Sequence, residues 1–121
     1  MNLIFDAKFV YCGDAMDGEI LQVSFDTISE TQHEDERSTP YVLISCNFEF
    51  SDSATIEWYN GSDYNGGAEI VDLTLSRTRI SIKLDSGLVI NIAFHLSDKE
   101  FAQLTSFLRR IIDDDCICFV D

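Results

Sequence analysis

The chain has 121 residues, 45% of them apolar and 12% aromatic, and 22 acidic residues against eight basic ones give a net charge of −14. That size fits a single domain, residues 1–121, able to bury its own core, and the composition excludes a disordered acidic tail. So negative a chain repels nucleic acid and anionic lipid, and it speeds encounter with basic proteins.

The first segment, "MNLIFDAKFVYCGD", has no basic leader and sets Asp6 and Lys8 inside its apolar run. It reads as a strand over 3–12, not as a signal peptide. No apolar run approaches the roughly 20 residues that span a bilayer, so no membrane partner is expected and the expected location is the cytoplasm. "LQVSF" then puts Leu21, Val23 and Phe25 on one face. A long polar loop follows over 27–40, with four acids that include the run Glu34, Asp35 and Glu36. Loops of that length are uncommon in small domains unless they are functional or disordered.

"YVLISCNFEF" places Val42, Ile44, Cys46, Phe48 and Phe50 on one face, with Ser45, Asn47 and Glu49 opposite. Residues 54–59 form a less even strand that runs into "EWYNGSDYNGG", a connection rich in glycine. After it, "IVDLTLS" alternates Val71, Leu73 and Leu75 against Asp72 and Thr74. "RISIKL" does the same with Ile80, Ile82 and Leu84. "LVINIAFHL" repeats it with Leu88, Ile90, Ile92, Phe94 and Leu96, leaving His95 on the wet phase. Alternation of this kind marks an antiparallel sheet with one face in water. The links "SRTR" and "DSG" are short, the second with Gly87 free to take positive φ, so the runs at 69–76, 79–85 and 88–96 form a meander.

After Ser97 the period changes to three and four, with Phe101, Leu104, Leu108 and Ile111 on one stripe. Ser97 and Glu100 match a capping box, and Arg109 and Arg110 suit the negative end of the helix dipole. "DDD", residues 113–115, ends the pattern, and "CICFV" forms a last short strand. The expected fold is α+β: one antiparallel, meander-like sheet of about six to eight strands, with a C-terminal amphipathic helix on its apolar face.

No catalytic or cofactor signature emerges. A phosphate cradle needs glycines opening onto a helix, often with a lysine, and here a strand follows. A calcium loop needs acids at alternate positions, and Asp63 stands alone in its loop. Cys12, Cys46, Cys116 and Cys118 read as reduced thiols, Cys46 in the core. The pair Cys116 and Cys118 lacks the second pair that a zinc site needs, and His33 and His95 fit no ligand spacing. No serine lies in a G-x-S-x-G elbow, and His95 reads as a surface residue. A non-enzymatic protein without cofactor or metal is therefore expected.

Recognition is the better-supported role. Glu49, Glu57 and Asp72 oppose the apolar phase, and Tyr59, Tyr64 and Trp58 gather around the glycine loop. Tyrosine and tryptophan are enriched at binding hot spots, although Trp58 also shares the inward phase of Ile56. The candidate partner-binding residues are Glu34, Asp35, Glu36, Glu57, Tyr59, Asp63 and Tyr64.

The stretch "IEWYNGSDYNGGAEIVDLTLSRTRISIKL" followed by "LSDKEFAQLTSFLRRII" resembles the immunity protein 10 family of bacterial polymorphic-toxin systems. The likeness covers 54–112, while the loop 27–40 and the tail "DDDCICFVD" have no counterpart in it. The resemblance implies a small cytoplasmic antitoxin that binds a cognate toxin domain and blocks it by contact. That the toxin is a basic nuclease is an electrostatic inference from the acidic charge. The alternative is a non-enzymatic adaptor or assembly subunit that binds another basic host protein.

Overall fold

A computed structural model describes residues 2–15, 19–27, 40–48, 54–113 and 115–120. The strands are β1 (Asn2–Asp6), β2 (Phe9–Ala15), β3 (Ile20–Asp26), β4 (Tyr41–Asn47), β5 (Thr55–Tyr59) and β6 (Tyr64–Ala68). They continue with β7 (Ile70–Leu75), β8 (Arg79–Leu84), β9 (Val89–Ala93) and, after the helix α1 (Asp98–Ile111), β10 (Ile117–Phe119). The fold is α+β as expected, but the strands form two five-stranded sheets rather than one.

The first sheet has the order β1-β9-β8-β7-β10 and the second β2-β3-β4-β5-β6. The second is an unbroken antiparallel meander, and β7-β8-β9 form the expected meander in the first. The outer strands of the first sheet, β1 beside β9 and β10 beside β7, pair in parallel. The chain changes sheet almost without a linker. The Ala7 N–H donates to Ala93 O at 2.8 Å and that of the next residue, Lys8, to Asp26 O at 2.9 Å. The second change uses Glu69 alone, which lies between β6 and β7. Alternation reveals an apolar face for most strands but not which sheet a strand joins, so it does not separate one sheet from two.

Both inner faces and the helix stripe share one core. Leu21, Val23, Phe25, Val42, Ile44 and Cys46 come from the second sheet; Leu73, Leu75, Ile80, Ile82, Ile90 and Ile92 come from the first. The Phe25 and Phe94 rings stack 6.4 Å apart between the sheets. The helix α1 packs nearest to β3 and β2, burying Leu104, Leu108 and Ile111. Its capping box is formed on both sides, with Glu100 N–H donating to Ser97 Oγ and Ser97 N–H donating to Glu100.

Two inward assignments fail for local reasons. A bulge between Ile70 and Asp72 turns Val71 outward, leaving it 39% exposed while Leu73 and Leu75 stay buried. Phe48 lies one residue past β4 and is also exposed; Phe50 and Glu49 lie outside the described residues. Gly87 takes the positive φ of 95° expected in its turn. Among the described residues no helix is long and apolar enough to cross a membrane.

Candidate functional site

The stretch "EWYNGSDYNGG" is a hairpin. Asn60 closes it: its Oδ1 accepts from the N–H of Ser62 at 2.8 Å and of Asp63 at 2.7 Å, while its own N–H donates to Asp63 O. Gly61 supplies the positive φ, 100°, that a tight loop needs. The connection is thus confined to residues 60–63, and "YNGGA", read from sequence as part of a loop, is the edge strand β6. A bulge at Gly67, φ 83°, shifts the register between Ile56 and Glu57.

Register then shows what the outer face of the second sheet carries. One cross-strand row runs Phe9, Asp26, Tyr41, Tyr59, Tyr64. The next runs Tyr11, Ser24, Leu43, Glu57, Gly66. An outer face expected to be polar is therefore paved with aromatic rings. Phe9 and Tyr11 stack with centroids 6.2 Å apart, and Tyr41 and Tyr59 tilt together at 6.0 Å. Tyr64, at the open edge, is 59% exposed, and its hydroxyl donates to the Glu57 carboxylate.

Charge is segregated in the same way. No strand of the second sheet contains a lysine or arginine, yet they hold Asp14, Asp26 and Glu57. Arg79 and Lys83 lie on β8 of the other sheet, Arg77 in the turn before it, and Lys99, Arg109 and Arg110 on the helix; Lys8, just before β2, is the cation next to this sheet among the described residues. Burial pushes the Tyr41 hydroxyl above its ordinary pKa, helped by Glu57 and Asp26; the hydrogen bond to Glu57 does so for Tyr64.

Of the residues singled out from sequence, Glu57, Tyr59 and Tyr64 come together on this face, with Asp63 in the loop just beyond Tyr64. Glu34, Asp35 and Glu36 lie outside the described residues; the two ends of that loop meet where Thr27 Oγ1 donates to Pro40 O, 3.2 Å, beside the tyrosine row. Trp58 is buried, on the inward phase it shares with Ile56. Asp72 faces outward on the first sheet, on a different surface. Phe9, Tyr11 and Tyr41 complete this face, and Tyr41 and Leu43 oppose the inward phase of Val42 and Ile44. Large apolar residues on a wet phase are the sequence signal for such a face.

Among the described residues no group of three or more His, Cys, Asp or Glu side chains is placed to hold a metal ion. His95 is exposed, and Cys116, just before β10, and Cys118, in its middle, are free thiols. Comparisons of the chain with protein-family models, curated proteins and solved structures give no match.

Proposed function

We propose that this protein is a stoichiometric inhibitor of a basic protein, an immunity protein that blocks a cognate toxin by occlusion and does no chemistry of its own. The observation that carries this reading is the outer face of the second sheet: a tyrosine row beside Asp26 and Glu57, with no cation in any of its five strands. Rigid tyrosines supply contact area and hydroxyl donors at low entropic cost, and carboxylates steer a cationic partner. The resemblance of 54–112 to the immunity protein 10 family points to a toxin as that partner. A nuclease domain fits best, because a groove built for phosphates concentrates lysine and arginine.

The test is co-expression with the product of the reading frame directly upstream. Rescue from toxicity together with co-purification is the expected result, and Tyr59→Ala or Tyr64→Ala should weaken both. Co-purification of a basic host protein without any rescue would replace the toxin by the adaptor reading.

A further inference from the structure

The strand β6 ends the second sheet, and four of its five residues are exposed. The Asn60 N–H bond to Asp63 O sets the ladder phase. By antiparallel alternation the pair Trp58–Asn65 is then bonded, while Tyr64 and Gly66 turn their N–H and C=O groups outward. Edge strands are usually guarded by lysine, proline or a cover, but "YNGGA" has neither residue and is exposed along most of its length. On its inner side lies a cleft of about 760 Å³ bordered by Leu3, Trp58, Asn65, Gly67, Asp85 and Leu88. On its outer side a second hollow, of about 470 Å³, is bordered by Ser45, Thr55, Glu57, Tyr64 and Gly66.

Glycine makes that second hollow. A Cβ built on Gly66 would lie 3.2 Å from Glu57 Cβ, so any larger residue would crowd the space beside the carboxylate. What remains is a notch bordered by Glu57, by Tyr64, whose hydroxyl donates to one oxygen of that carboxylate and leaves the other for a ligand, and by Ser45 and Thr55. An alkyl stem ending in a cation fits this chemistry, because it can lie on the ring and reach the carboxylate.

We propose that β6 is extended by a strand from the partner, and that a lysine or arginine of this strand enters the notch over Gly66 to meet Glu57. Main-chain bonds to Tyr64 and Gly66 give affinity, and the notch selects the cationic side chain. A second copy of this chain is disfavoured as the occupant, because it brings another net charge of −14. The inference rests on the basic-partner reading above and specifies how that partner is held.

A blocked pentapeptide with a central arginine, flanked by valine and threonine, tests it by NMR titration of the full chain. Expected are saturable amide shifts confined to residues 64–68 and Glu57. Citrulline in place of arginine should weaken binding about tenfold. N-methylation of the peptide residues that face β6 should abolish binding, and N-methylation of the alternate residues should not. Glu57→Gln should erase the preference for arginine, and Gly66→Ala should close the notch. Shifts elsewhere, none up to about 10 mM peptide, equal binding of the citrulline or N-methyl forms, or a dimer joined through β6 would each overturn the proposal. Because no toxin enters this assay, peptide binding without rescue removes the toxin and keeps the edge; rescue without peptide binding does the reverse.

Discussion

The Tyr64 hydroxyl donates to the Glu57 carboxylate across the β5–β6 hairpin, joining the exposed edge of the tyrosine row to its nearest acid. This bond favours the neutral phenol, so Tyr64 ionises above the ordinary tyrosine value of 10.0. Glu57→Gln removes the charge and should return the titration of Tyr64 toward that value. Following the Tyr64 ring carbon by NMR against pH measures the change. An unaltered titration would show that the carboxylate does not hold the hydroxyl.

Steering by the acidic face predicts a kinetic signature. Raising salt from about 50 to 500 mM should lower the association rate with the partner by roughly tenfold, with a smaller change in dissociation. Stopped-flow measurement at several salt concentrations separates the two rates. A salt-independent association rate would leave contact area as the whole basis of binding.

The two neighbouring glycines of β6 should fail differently. Gly67 sits at φ 83° with open space where a Cβ would go, so Gly67→Ala carries only the conformational penalty, about 1–2 kcal/mol. Gly66 has no positive φ, and its penalty is contact with the Glu57 Cβ at 3.2 Å, so Gly66→Ala should cost less on a Glu57→Gly background, which lacks that Cβ, than in the native chain. Urea unfolding of the two glycine variants on both backgrounds distinguishes these causes. An equal relief of Gly67→Ala by Glu57→Gly would contradict the assignment.

These glycines also mark where the sequence stopped being legible. The runs that became β7, β8 and β9 alternate cleanly, and Ser97 with Glu100 announced the helix start, so phase and local chemistry sufficed. "YNGGA" has no apolar alternation, because both its faces are exposed, and a strand without a buried face leaves no period to read. The parallel pairs β1–β9 and β7–β10 depend on contacts between distant segments, which no local pattern encodes. The site was half visible for the same reason. Glu57, Tyr59 and Tyr64 sit within one hairpin, whereas Phe9 and Tyr41 reach the same row only through the register of β2, β3 and β4.

Thiol chemistry should sort the cysteines by burial. Burial pushes the Cys12 thiol up to about 11, from 9.0, and Cys46 is buried in the core. Cys118 is exposed and should be alkylated first, Cys116 next, and Cys12 and Cys46 last. The raised Cys12 value also fixes a sign for stability. Its contribution is complete below 9.0, where the thiol is neutral in both states, and is lost as pH climbs toward about 11. Mass spectrometry of timed alkylation, with unfolding curves on either side of pH 9, checks both statements; early labelling of Cys12 would refute the first.

Arg77 ties the β7–β8 turn to the start of the helix by three contacts on one guanidinium. It donates to the part-buried Leu96 carbonyl at 2.8 Å and to the Asp98 carboxylate at 3.0 Å, and its carbon lies 4.9 Å from the Phe101 ring centre. These contacts are unequal. The Asp98 side chain is fully exposed, so its ion pair is screened and Asp98→Asn should leave stability unchanged within error. The carbonyl bond is part-buried and the ring contact needs the planar guanidinium, so Arg77→Ala should cost about 1 kcal/mol. Arg77→Lys keeps the charge but not the planar group over the Phe101 ring, and should recover less than half of that loss. Urea unfolding of the three variants at low and high salt decides the matter. A loss in Arg77→Ala that vanished at high salt would assign the whole effect to Asp98 and leave the carbonyl and the ring without a role.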